Sequence, residues 1–215
     1  MGVSTGEQFL NRLERKMGRF YITGLMKIIV FGMAGVFILD LAFSRSAVTA
    51  SSMLMFSREM ILKGQVWRLV SFVFIPEGGS ILLIFFTLYF YYLIGTALEN
   101  RWGSRRFNLY YLMGIIGADL GGMLAGFNTN YYLNLSLFLA FACLYPDFEV
   151  LVFFVLPVKM KYIAWLDAAY LLYLFVMGTW PSRGCMLLSF LPFFVFFGRD
   201  MYLRGRHILY RLRNR

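Results

Sequence analysis

The chain has 215 residues, 60% of them hydrophobic and 15% charged, with a mean hydropathy of +0.67 and a formal net charge of +10. Soluble domains carry about a quarter charged residues, so this composition belongs to lipid, and the length leaves room for one membrane domain. Cys143 and Cys185 lie in apolar runs with no CxxC or Cys/His cluster, which argues against a disulfide scaffold, a metal site or a cofactor.

In chain order, residues 1–20 form a cytoplasmic amphipathic segment. Ser4 and Glu7 fit a capping box, and Phe9, Leu10, Leu13 and Met17 share one face apart from Arg12, Arg15, Lys16 and Arg19. No small-residue cleavage site follows, so the first apolar run is a retained span. Runs long enough to cross a bilayer predict spans over 21–42, 78–98, 107–126, 131–146, 160–177 and 184–198. The fold class is therefore all-α, a polytopic bundle of six transmembrane helices over 21–198.

Between the first two spans, residues 43–77 form a loop that is long for a connection. It holds Trp67 and Arg68 in GQVWRLVSFVFIP, directly before an apolar run. Trp67 is expected in the headgroup belt, with Arg68 snorkelling or bonding loop carbonyls. A structural anchor is the expected role, and contact with a substrate is the alternative.

Span three contains Gly117-x-x-x-Gly121 and Gly122-x-x-x-Gly126, a spacing that lets helix backbones approach closely. Packing within the chain is expected, and homodimerisation is the alternative. Asp119 in span three and Asp167 in span five are candidate functional acids by their position. Each could equally face the bundle, satisfied by a Tyr, Asn or Arg. Spans four and six are short, covering about 21–24 Å against a core of about 30 Å, which implies a locally thinned bilayer or an oligomer.

Residues 199–215 are a basic tail. Arginines near an anionic leaflet gain about 1 kcal/mol each, so membrane lipid is the expected partner and nucleic acid is not. Placing both termini in the cytoplasm puts fifteen of the 21 basic residues inside and five outside.

Three stretches carry a resemblance. GQVWRLVSFVFIP, TLYFYYLIGTALENRWGSRRFNLYYLMG and LVFFVLPVKMKYIAWLDAAYLL together resemble the rhomboid superfamily, including the derlins, over roughly residues 60–178. The matching positions are Trp67, Arg68, Glu99, Gly103, Arg106 and Phe107. Glu99 and Arg106 are expected to cap and pair across the turn after span two. The resemblance implies a Gly-x-Ser-Gly serine in span four, a histidine in span six, and a His and an Asn in span two. The serine position falls on Ser136, but Asn134 and Leu137 stand where the glycines belong. Spans two and six hold no histidine, and the chain's single histidine, His207, is in the tail. A nucleophile needs a base within about 3 Å, and no lysine is placed to substitute. In a helix, Ser136 is expected to bond back to a carbonyl one turn earlier.

The expected function is that of a catalytically inactive rhomboid-like protein that binds or chaperones transmembrane segments of client proteins. A small transporter or channel using Asp119 and Asp167 is one alternative, and an intramembrane hydrolase centred on Ser136 is another. Short loops and the lack of an appended domain favour a bacterial plasma membrane.

Overall fold

The computed structural model describes residues 12–15, 18, 21–43, 48–78, 80–152 and 156–198. Residues 12–15 are helical, while the expected capping box of Ser4 and Glu7 and the basic tail with His207 lie outside the described residues.

The chain is mostly helical. Six long segments occupy the places of the expected spans: α1 (Leu25–Ala42), α5 (Ile81–Trp102), α6 (Ser104–Ala125), α7 (Tyr131–Leu144), α8 (Met160–Met177), and a pair, α9 (Trp180–Ser189) with α10 (Leu191–Gly198). Among the described residues α1, α5 and α8 are long and apolar enough to cross a membrane, and the α9–α10 pair is a fourth candidate if its 48° bend lies within one span. The six-span expectation exceeds this. α6 has the length, but Asn108, Tyr110, Tyr111, Asp119 and four glycines dilute its apolarity, and α7 has only 14 residues. Two short helices, α2 (Ala50–Leu54) and α3 (Arg58–Leu62), precede α4 (Arg68–Ser71) and a 3-10 turn over Phe72–Phe74.

Where the helices stop follows from local chemistry. The Ser80 side chain caps α5 by accepting from Leu83 N. Gly103, at φ 83°, ends α5 and starts α6 in a conformation that L side chains resist. The bend after Ser189 comes where Pro192 cannot donate a main-chain hydrogen bond.

Apolar side chains cover the outside as well as the core. Phe31, Phe85, Trp165, Leu166, Met177 and Trp180 are all exposed, and only 6% of the α8 window is buried. Such a surface is stable only against lipid. α7 runs through the middle, with Leu133, Leu137, Phe138, Ala140 and Phe141 buried and with α5, α6, α8 and α9 packed against it. A helix buried all round reads as apolar on every side.

Among the described residues two small antiparallel ribbons join these helices. β1 (Phe56–Ser57) pairs with β2 (Phe127–Asn128), joining the long loop to the α6–α7 turn, and β3 (Glu149–Val152) pairs with β4 (Leu156–Lys159). The molecule thus has two ends. The loop end carries residues 48–78 and the α6–α7 turn; the opposite end carries Gly103.

Candidate functional site

Arg68 lies within the loop, 8% exposed. Its Nε donates to Gln65 Oε1 at 2.7 Å, and its Nη1 donates to Ser52 O at 3.0 Å and Met55 O at 2.6 Å. Ser71 Oγ donates to Leu54 O at 2.9 Å and Trp67 Nε1 to Met53 O at 3.4 Å. One guanidinium and two neighbouring donors therefore gather the carbonyls at the end of α2. Trp67 is 53% exposed, its ring on the surface. Ser51 binds back to Asp40 through its main-chain nitrogen and its hydroxyl, which ties α2 to the end of α1.

The loop is seated in the bundle. A side chain on Gly32, midway along α1, would overlap the ring of Phe74. From the α6–α7 turn, Asn130 Nδ2 donates to Ile75 O at 2.8 Å and Val73 O at 3.3 Å. The connector that follows carries Glu77, whose Oε2 accepts from Tyr91 in the middle of α5 at 3.2 Å. Burial pushes the Glu77 carboxyl up to about 7.

At the Gly103 end, Glu99 and Arg106 have different partners, correcting the expected pair across the turn. Glu99 Oε1 accepts from Gly24 N at 2.7 Å and Ser104 Oγ at 2.6 Å, so it fastens the start of α1. Arg106 Nε reaches Glu14 Oε2 at 3.2 Å. The reason is spacing: the left-handed Gly103 turn directs Ser104 back at the carboxylate and Arg106 away from it. Asn108 adds a second fastening, donating to Ile22 O at 2.8 Å and accepting from Ile22 N at 2.9 Å.

The glycines of α6 divide among several neighbours. A Cβ on Gly117 would strike the Leu188 carbonyl oxygen, and one on Gly121 would meet Cys185 Cα at 2.6 Å, so both admit α9. Leu188 is the residue whose carbonyl Pro192 cannot bond. Gly122 accommodates Phe56 and Asn128. Gly126 departs from the packing expected of it: at φ 89° it closes α6, with nothing within 4 Å of its Cβ position. A helix end in that conformation accounts for the glycine.

Ser136 is fully buried on α7. Its hydroxyl donates to Leu133 O at 2.7 Å, and Tyr110 on α6 donates to Ser136 O at 3.0 Å, with Ser136 Oγ at 3.2 Å. Tyr110 packs in turn against Trp102 and Phe196, with centroids 5.3 and 5.2 Å away. Six residues separate it from the start of α6, a rise of about 9 Å, which places Ser136 toward the Gly103 end. No described side chain with basic character contacts the hydroxyl.

Asp119 and Asp167 are half-buried on α6 and α8. No hydrogen bond or ion pair joins them to each other among the described residues, and Asp119 Oδ1 is buried without a partner. No group of three or more His, Cys, Asp or Glu among those residues is arranged to hold a metal. A cavity of about 150 Å³ opens at the loop end, lined by Asn128, Thr129, Tyr131, Tyr132, Ser182 and Cys185.

The residues missed in the sequence are the polar ties: Asn108, Asn130 and Glu77. A lone Asn or Glu beside an apolar run was the available signal, since such a group needs a buried partner. Its partner could not be named, lying 86 residues away for Asn108 and 55 for the Asn130 bond to Ile75.

A family model described as the Rhomboid domain matches residues 63–184, more than half the chain, from just before the Trp67–Arg68 pair to the first turn of α9. No curated protein matches the chain.

Proposed function

Since the chain belongs to the rhomboid family of integral membrane proteins, whose members include proteases and inactive forms, we propose that it is an inactive member that binds transmembrane segments of other proteins. The observation carrying this reading is the state of Ser136. Its hydroxyl is fully buried and committed to Leu133 O and Tyr110, with Asn134 and Leu137 beside it in sequence. Nucleophilic catalysis requires a base at hydrogen-bond distance and donors aimed at the developing oxyanion. A tyrosine that donates to the serine supplies neither.

Binding of client segments is supported by the unusual middle of the molecule. The 14 residues of α7 rise about 21 Å, short of a hydrocarbon core of about 30 Å. A bundle with such a helix at its centre thins the bilayer around it, and thinned lipid favours segments that ordinary bilayers hold poorly. In this reading α6 and α7 are spans as well, making six, with 43–77 as an outer loop and 1–20 and 199–215 as cytoplasmic segments. The excess of basic residues at the Gly103 end and in the terminal segments supports cytoplasmic termini, and a bacterial plasma membrane is the proposed compartment.

The test uses the full chain in lipid nanodiscs with fluorescent single-span peptides and a fluorophosphonate probe. Peptide binding without cleavage or probe labelling is expected. Labelling that Ser136→Ala abolishes would establish the hydrolase instead, and absence of peptide binding would remove the client reading.

A further inference from the structure

Between α5, α6 and α7 lies a set of polar side chains whose bonding capacity the chain leaves unused. Tyr91 donates to Glu77 Oε2, but Glu77 Oε1, the Tyr111 hydroxyl on α6 and both amide atoms of Asn134 on α7 are buried without a hydrogen-bond partner. Tyr111 is 1% exposed and Asn134 3%, so neither can turn outward. These groups are neighbours. Tyr91 lies within electrostatic reach of Glu77 and Tyr111, its hydroxyl stands beside the Asn134 amide without meeting hydrogen-bond geometry, and Tyr111 lies within reach of Glu77.

The set continues toward α8. Tyr131, at the start of α7, lies within electrostatic reach of Glu77 and also of Asp167 and Tyr170. Asp167 and Tyr131 are half-buried and Tyr170 is 48% exposed, so this edge opens on the flank of the bundle. Among the described residues neither Glu77 nor Asp167 takes part in an ion pair.

A buried polar group without a partner is destabilising, and its persistence calls for something that completes it. Two carboxyl groups with no cation opposite among the described residues, an amide oxygen and a phenol oxygen outnumber the donors beside them, Asn134 Nδ2 and the phenol hydrogen. The complement is a positively charged donor. Asp167 stands seven residues from the start of α8, a rise of about 10 Å, so the opening is near mid-depth. A lysine or arginine at the centre of a membrane helix is costly to insert, so a segment carrying one gains from such a site.

We propose that Glu77, Tyr111, Asn134 and Asp167 form a binding site for the lysine or arginine side chain of another protein's membrane-spanning segment, entering at mid-depth past Tyr131 and Tyr170. This rests on the segment-binding reading above and names the segments it selects.

The test is binding of synthetic Leu-Ala peptides of about 21 residues, a length that spans the core, to the full chain in nanodiscs. The peptides carry Leu, Lys or Glu at the centre. The Lys peptide should bind about tenfold more tightly than the Leu parent, a gain of about 1.4 kcal/mol, and the Glu peptide no more tightly. Glu77→Gln and Asp167→Asn should each reduce that preference and together abolish it, while Asp119→Asn keeps it. Melting temperature identifies any variant that fails to fold, and Asp167→Asn, which breaks no hydrogen bond among the described residues, decides if Glu77→Gln does. Equal affinity for the Lys and Leu peptides would overturn this inference and leave segment binding standing. A Lys preference that survives the double variant would overturn it too, and failure of every peptide to bind would overturn both.

Discussion

Arg68 carries its charge to a place where it is 8% exposed, and its acceptors are two main-chain carbonyls and an amide oxygen rather than a carboxylate. The guanidinium therefore acts as a brace for the loop. Arg68→Ala should leave the Ser52 and Met55 carbonyls unpaired, cost about 3 kcal/mol, and raise proteolysis within residues 48–68 while the helices stay inserted. Arg68→Lys should rescue only in part, because an ammonium lacks the planar fork that spans Gln65 and both carbonyls. Client binding lost with wild-type melting and loop protection would show that Arg68 touches the client. Glu77 gives a second prediction at this scale. Its folded-state value of about 7 lies above the ordinary 4.5, so between those values the folded chain holds a proton that the unfolded chain has released. The seating of the connector should be strongest below pH 4.5 and weaken as pH rises through 7. Hydrogen exchange across residues 72–78 measures this, and Glu77→Gln should flatten the profile.

At the scale of the element, the contact of α6 with α9 depends on missing side chains. Gly117 approaches a carbonyl that Pro192 leaves without its helical donor, so the bend in α9–α10 and the glycine on α6 are complementary. Gly117→Val forces a methyl group into backbone that cannot rotate away. We expect a loss of about 2 kcal/mol or more and a lower melting temperature in detergent. Leu120→Val, on an exposed part of the same helix, should change neither. A wild-type melting curve for Gly117→Val would contradict the contact. The glycine spacing was legible in the sequence because close packing demands it, but the same pattern included Gly126, which ends the helix. Spacing alone does not separate a packing glycine from a capping one.

For the whole molecule, the seated loop, the α6–α7 turn and α7 form one unit. β1–β2 pairing, Asn130 and Phe74 hold residues 48–78 into the bundle rather than over it. The proposed orientation predicts that Thr129→Cys, exposed at the loop end, is labelled from outside by a membrane-impermeant maleimide in a chain lacking its native thiols. Arg101→Cys, exposed at the Gly103 end, should be labelled only after permeabilisation. The opposite pattern would invert the topology.

Composition, run length and the order of Trp67–Arg68, Glu99 and Gly103 determined the class, the membrane setting and the family, because each depends on local chemistry: apolarity, helix length, a turn that needs glycine. The brace at Arg68 was also legible, since a charge before an apolar run must find nearby oxygens. Tertiary structure alone decided which groups meet. Glu99 takes Gly24 and Ser104 rather than Arg106, Ser136 meets Tyr110, and Tyr91 meets Glu77, Tyr111 and Asn134 from three other elements. Those partners come together through helix packing, and the apolar pattern that drives the packing is nearly uniform around these helices. The sequence therefore marks the polar residues that require company without stating which residues provide it.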